Sequence, residues 1–198
     1  MKLLYERARE HVSEASAAVE RLRTADGLII IRAAWSDFLV HYHRVFTRLH
    51  QATKGGPDKG WFDRVKHERS TDELLSYLMH ARNADEHGLE RVTGNTYASF
   101  VMGMPPPGQT IRNVSVVMNK NGEMEVDWGD SPRPKFWQTT AAKATLVPVT
   151  DRGITYRPPT SHLGQPLTDT SLLHVAERGL AYIEALVAAA EARHDGRS

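Results

Sequence analysis

A long apolar stripe between residues 31 and 49 is the feature that most constrains the fold of this chain. Apolar side chains recur every three or four residues, at Ile31, Trp35, Phe38, Tyr42, Val45 and Leu49. This spacing predicts a helix of about five turns with one buried face. The glycines and proline of KGGPDKG, from Lys54 to Gly60, predict its end.

Three other segments share this period and predict three more helices. Along the chain these are the first, third and fourth helices, because the stripe described above is the second. The first helix buries Val12, Ala15, Val19 and Leu22. The third begins at a capping box of Ser70 and Glu73, in which each side chain bonds a backbone N–H, and ends at Gly88. The fourth follows the cap candidates Thr168, Asp169 and Thr170 and buries Leu173, Ala176, Leu180, Ile183, Val187 and Ala190.

Between Gly94 and Pro166 the apolar period falls from about 3.6 to 2, which predicts strands. NVSVVMNKNGEMEVDW predicts a hairpin that turns at Asn121-Gly122, and KATLVPVTDRGITYRPP predicts a second that turns near Asp151. The predicted class is mainly α (α+β): a four-helix bundle with a small antiparallel β-sheet inserted before the last helix. Residues 1–92 hold helices one to three, residues 93–167 the β-rich insert, and residues 168–198 the last helix and tail.

Composition excludes several classes of protein. The chain has 198 residues, 40% of them hydrophobic, enough for a packed core. Its 25 basic and 24 acidic side chains give a net charge of +1, so no global field attracts nucleic acid. It has no cysteine, which excludes disulfides, a thiolate zinc site and a cysteine nucleophile. The charged start and the lack of an apolar run near the roughly 18 residues of a membrane span predict a cytoplasmic protein without a membrane partner.

The apolar stripe of the third helix ends in charged side chains. It runs through Leu75, Leu78 and Met79, and its next members are Arg82, Asp85 and Glu86. A buried charge without a partner costs several kcal/mol. Either the helix end leaves the core, or the charges pair with each other, or they line a site or an interface.

The stretch RNADEH, from Arg82 to His87, resembles the R-x4-H motif of the HEPN superfamily of helical ribonucleases. In that family a polar residue usually follows the arginine, as Asn83 does here. The same spacing from Arg157 to His162 is followed by two prolines, which prevent a helix there.

The resemblance implies a HEPN-like bundle and a metal-independent endoribonuclease without a cofactor, with Arg82 and His87 as catalytic residues. RNA carries its own nucleophile, the 2′-hydroxyl, so cleavage needs a base for its proton and a cation for the phosphorane. Histidine exchanges protons near neutral pH, and the arginine fork matches two phosphate oxygens. The supporting residues are expected to be Asn83, Asp85, Glu86 and His80.

Residues five apart on a helix are separated by about 140°, so Arg82 and His87 do not share a face. The resemblance implies a homodimer in which the motifs of two protomers form one composite site. An RNA-cleaving toxin or phage-defence effector is the expected setting, with an antitoxin or another regulator as a further partner.

Two other interpretations stay open. One is a catalytically inactive HEPN-like dimeric module that binds a nucleotide, RNA or a protein. The other is a metalloenzyme, because His80 and His87 share a helix face beside Glu86, although the H-E-x-x-H spacing of zinc enzymes is absent; no metal ligands are assigned.

The segment WFDRVKHER, Trp61 to Arg69, combines basic and aromatic side chains just before the third helix. It is interpreted as a solvated loop. Its expected contacts with RNA are Lys66, His67 and Arg69.

Overall fold

Five helices form the body of the molecule within the residues that the computed structural model describes, 2–86, 93–95, 99–118, 124–140 and 143–196. They are α1 Lys2–Thr24, α2 Leu28–Thr53, α3 Lys59–Thr71, α4 Glu73–Glu86 and α5 Leu172–Asp195. The predicted mainly α (α+β) class is confirmed. The count of four helices is wrong, because residues 59–71 form a helix of their own.

Helix α2 runs through the core and contacts α1, α4 and α5. The predicted stripe is confirmed from Trp35 onward by its burial, and its aromatic rings form a column. Ring centroids lie 5.7 Å apart between Trp35 and Phe38, 5.9 Å between Phe38 and Tyr42, and 5.2 Å between Tyr42 and Phe46. These spacings are typical of favourable aromatic packing, so α2 is the central support of the bundle.

Gly179 allows α5 to approach α2 and α4 closely. A Cβ atom at this position would lie 2.6 Å from Leu78 Cδ1 and 3.1 Å from Phe38 Cζ. The absence of a side chain therefore brings the last helix against α4, the helix that carries the R-x4-H stretch.

The segment between α4 and α5 forms antiparallel strand pairs. The described strands are β1 Thr93–Asn95, β2 Ser99–Met102, β3 Ser115–Met118, β4 Met124–Asp127, β5 Trp137–Thr140, β6 Ala144–Leu146, β7 Val149–Asp151, β8 Ile154–Tyr156, β9 Ser161–His162 and β10 Gln165–Pro166. They pair as β1 with β6, β2 with β5, β3 with β4, β7 with β8 and β9 with β10. Among the described residues these are five two-stranded antiparallel pairs, so the antiparallel pairing predicted for this segment is confirmed.

Three of the pairs are nested, an arrangement that the sequence did not predict. The pair β2–β5 continues the residue alignment of the pair β1–β6. Both pairs enclose the hairpin β3–β4. Both predicted hairpins are confirmed as strand pairs, β3–β4 and β7–β8, although Asn121-Gly122 lies outside the described residues. Residues 144–146 of the second predicted hairpin pair with β1 instead. Sequence periodicity identifies strands but carries no information about such distant partners.

The prediction of a solvated loop for WFDRVKHER is wrong, because these residues lie within α3. This helix buries Phe62, Val65 and Arg69, which follow helical spacing. Only two of the three are apolar, and a buried arginine is rare enough that the pattern resembles a solvated segment.

The predicted capping box is also wrong. Ser70 lies inside α3, where its Oγ donates to the carbonyl of His67 at 2.7 Å. Helix α4 begins at Glu73, and Asp72 Oδ1 accepts from the backbone N–H of Leu75 at 2.9 Å. Gly88, the predicted helix end, lies outside the described residues.

The N-cap of α5 is Ser171, one residue after the predicted caps, and its side chain accepts from the backbone N–H of His174. None of the helices in the described part of the chain combines the length and apolar character needed to cross a bilayer.

Candidate functional site

The polar residues of α4 lie on two flanks of the helix, on either side of its buried face. Leu74, Leu78 and Ala81 are buried against the bundle. His80 and Asn83, three residues apart, share the flank that meets the hairpin β7–β8. The other flank carries Arg82 and lies near α2 and α3. The two flanks therefore have different neighbours.

The hairpin β7–β8 brings a carboxylate to α4. Arg152 and Gly153 have positive φ angles of 52° and 80°, as a two-residue type I′ turn requires. Side chains alternate along a strand, so Val149 and Asp151 face the same way. Val149 is fully buried and holds β7 against the bundle, which places Asp151 beside α4 with only 8% exposure.

Asp151 accepts two hydrogen bonds from α4 at one oxygen. Its Oδ2 lies 2.8 Å from Asn83 Nδ2 and 2.7 Å from His80 Nδ1. The hydrogen bond from Asn83, followed by the one from His80, lowers the pKa of Asp151, and the charge of Arg152 adds to this effect. Asp151 is therefore an ionised acceptor at neutral pH.

The His80 ring is also held by an aromatic neighbour. It stacks on Tyr156 of β8, with ring centroids 3.5 Å apart and an angle of 11° between the planes. The side chain keeps 17% of its surface exposed. Asp151 and Tyr156 together fix the orientation of an imidazole that solvent still reaches.

Arg82 is connected to this cluster through Asn83. Its Nη1 donates to Asn83 Oδ1 at 3.3 Å, while the amide nitrogen of Asn83 donates to Asp151. One amide therefore links the cation to the carboxylate. The charge of Arg82 also reaches α2 and α3, where burial first and this charge after it lower the pKa values of His43 and Arg69.

His43 and Arg69 form a second polar group under α4. Arg69 Nη2 donates to His43 Nδ1 at 3.2 Å, and the guanidinium lies 4.0 Å from the ring centroid of Phe46. Burial and then the charges of Arg69 and Arg82 lower the pKa of His43 to about 4. Arg69 is 9% exposed, which removes it from the expected surface contacts with RNA. Lys66 and His67 are exposed on α3, and their contact with RNA stays a prediction.

The other predicted residues are distributed as follows. Asp85 accepts a hydrogen bond from Ser36 Oγ of α2, so its partner is Ser36 and not Arg82. Glu86 is the last residue of α4. His87 lies outside the described residues, so its catalytic role stays a prediction.

Among the residues that the structure describes, no three His, Asp or Glu side chains gather closely enough to hold a metal ion.

A groove of about 760 Å³ lies elsewhere, between α1 and α5. Its charged lining side chains are Arg9, Glu20, Glu184 and Glu191. Three carboxylates and one guanidinium make a poor surface for a polyanion, and the groove has no imidazole. The polar cluster on α4, which combines an imidazole, a carboxylate and a guanidinium, is better suited to acid–base chemistry.

Sequence reasoning missed Asp151, Tyr156 and Ser36. The signal for Asp151 was present, because a carboxylate stands directly before a predicted turn. Its partners on α4 are 68 and 71 residues away, and periodicity does not reveal such contacts.

No protein-family model, curated protein or solved structure matches this chain. The chemistry of the site therefore rests on the geometry of its own residues.

Proposed function

We propose that this protein is a metal-independent endoribonuclease of HEPN type that acts as a homodimer, as a toxin or a phage-defence effector. The observation that carries the proposal is the hydrogen-bonded chain from Asp151 through Asn83 to Arg82. It holds the arginine of the R-x4-H stretch at the edge of a mainly helical body. A held guanidinium is what a phosphate-binding cation needs.

Arg82 binds the scissile phosphate in the proposed reaction. Its planar fork donates to two phosphate oxygens and offsets the charge that develops on the phosphorane. Asn83 is the positioning residue of Arg82, because its carbonyl accepts from the guanidinium and its amide nitrogen is anchored on Asp151. A misplaced guanidinium would lose much of this stabilisation.

His87 removes the proton from the 2′-hydroxyl in this mechanism. The 2′-oxygen then attacks phosphorus, and the products are a 2′,3′-cyclic phosphate and a 5′-hydroxyl. Two residues five positions apart on a regular helix are separated by about 140°, so the proposal assigns Arg82 and His87 of one complete site to two protomers.

The near-neutral charge of +1 favours a second candidate function. An RNA-binding surface without sequence preference is usually basic, because phosphate contacts dominate its affinity. The alternative is a catalytically inactive dimeric module that binds a nucleotide, RNA or a protein partner.

Cleavage of single-stranded RNA in EDTA tests the proposed function. We expect the wild type to release 2′,3′-cyclic phosphate ends, and Arg82→Ala and His87→Ala each to lower the rate by about 10²- to 10⁴-fold. Arg44→Ala and His50→Ala are matched controls, because both residues are exposed on α2. Wild-type protein without cleavage, or cleavage that EDTA abolishes, would overturn the proposal, and RNA binding without cleavage would support the inactive module.

A further inference from the structure

His80 has a more specific role than support. We propose that His80 is the general acid of the reaction, which protonates the departing 5′-oxygen, and that Asp151 is its positioning residue. This inference rests on the proposed function and adds a second proton-transfer group to it.

The contact with Asp151 fixes which nitrogen of His80 can react. Asp151 is ionised and can only accept, so the His80 Nδ1 atom, 2.7 Å from Asp151 Oδ2, must carry a hydrogen. Proton transfer is then left to Nε2. The same arrangement of carboxylate and imidazole orients the histidine of hydrolytic triads.

The His80 side chain is partly exposed, with 17% of its surface accessible. Among the residues that the structure describes, its hydrogen-bond partner is Asp151, which it contacts through Nδ1. This contact leaves Nε2 as the nitrogen for proton transfer with a substrate.

Tyr156 fixes the plane of the imidazole. The two rings lie face to face, with centroids 3.5 Å apart. The stacking and the contact with Asp151 together orient the ring, as proton transfer to a defined atom requires. The proposed function already assigns the 2′-hydroxyl proton to His87, which is why we assign His80 to the leaving group.

The reaction balances with two histidines. The 2′-hydroxyl gives its proton to His87 as the bond from O2′ to phosphorus forms. The bond from phosphorus to O5′ breaks, and O5′ takes the proton from His80 Nε2. His80 ends neutral, His87 ends protonated, and exchange with water restores both.

Asp151 connects the proposed acid to the phosphate-binding cation. The same oxygen, Oδ2, accepts from His80 and from Asn83, and Asn83 accepts from Arg82. Loss of this carboxylate therefore disturbs the positions of both His80 and Arg82.

A substrate with a better leaving group tests the acid directly. In RNA with a single 5′-bridging sulfur at the scissile bond, the departing thiolate needs no proton. We expect His80→Asn to cleave ordinary RNA about 10²-fold more slowly or worse, and the sulfur-containing RNA at close to the wild-type rate. Asparagine is chosen because its side-chain amide can still donate to Asp151, whereas the nitrogen that transfers the proton, Nε2, is removed.

His87→Ala is the matched control, because a missing base slows cleavage of both substrates. Equal losses on both substrates for His80→Asn, or no loss on either, would overturn the role of His80 while leaving the proposed function intact. Wild-type protein that cleaves neither RNA would overturn both proposals.

The tautomer of His80 provides a test without catalysis. Nitrogen-15 NMR of the neutral imidazole should show the hydrogen on Nδ1 in the wild type and a loss of that preference in Asp151→Asn. A neutral His80 with its hydrogen on Nε2 in the wild type would overturn the inference.

Discussion

At the level of single residues, the polar groups of α4 are held by partners from other elements. Asp151 of β7 accepts from His80 and Asn83, and Ser36 of α2 donates to Asp85. These contacts answer why an apolar stripe ends in charges. The core face of α4 continues through the buried Ala81 and Ala84, and partners from other elements satisfy the polar side chains beside it.

His43 gives the molecule a pH-dependent stability. Its pKa of about 4 in the folded state lies below the ordinary 6.5, so the unfolded chain binds more protons between these values. Stability is therefore complete above pH 6.5 and falls as the pH drops toward 4. Because the side chain is only partly buried, we expect its contribution to be about 1 to 2 kcal/mol.

Urea unfolding of His43→Gln across this pH range measures that contribution. Glutamine can still accept from Arg69 but does not titrate, so the loss of stability toward low pH should be smaller than in the wild type. His50→Gln, on the exposed side of the same helix, should behave like the wild type. An unchanged pH dependence in His43→Gln contradicts the assignment.

Sequence analysis found part of this cluster. Arg82, Asn83 and His80 could be selected because the motif and the polar end of the stripe both lie in one local segment. Asp151 could not be paired with them, because that contact depends on how the β-rich insert folds back onto α4. The buried position of Arg69 on the Phe46 ring depends equally on tertiary packing.

At the level of elements, Asp72 joins the start of α4 to the distant hairpin β9–β10. Beyond its bond to Leu75, Asp72 Oδ1 lies 3.0 Å from His162 Nδ1, and Oδ2 accepts from the backbone N–H of Leu163 at 2.6 Å. One buried carboxylate therefore caps a helix and anchors a loop about 90 residues later.

Replacement of this carboxylate should be costly. We expect Asp72→Ala to lower the free energy of unfolding by about 2 to 4 kcal/mol, because three donors lose their acceptor. Ser70→Ala should change it by less than about 0.5 kcal/mol, since Ser70 is exposed within α3. Denaturant unfolding of both variants checks this, and a larger effect of Ser70→Ala would restore the capping box as the helix start.

The elements differ in how well they could be predicted. Helices α2 and α5 follow strong apolar periods and were found from the sequence. Helix α3 was missed because one of its three buried residues is an arginine. The nested strand pairs were missed because β1 and β6 are brought together by tertiary folding and not by a short turn.

At the level of the whole molecule, the proposed function assigns each site to two protomers. Arg82 lies on the flank of α4 near α2 and α3, and its link to Asp151 runs across Asn83 to the opposite flank. A shared site of this kind makes activity depend on both protomers, whereas an inactive binding module has no such dependence.

The most direct test is the RNA cleavage rate of a purified mixed dimer, with one wild-type protomer and one protomer that carries both Arg82→Ala and His87→Ala. If the site is shared, each copy lacks an essential group, and the mixed dimer should retain less than about a tenth of the wild-type rate. Half of the wild-type rate would show that each protomer carries a complete site and would contradict the shared site.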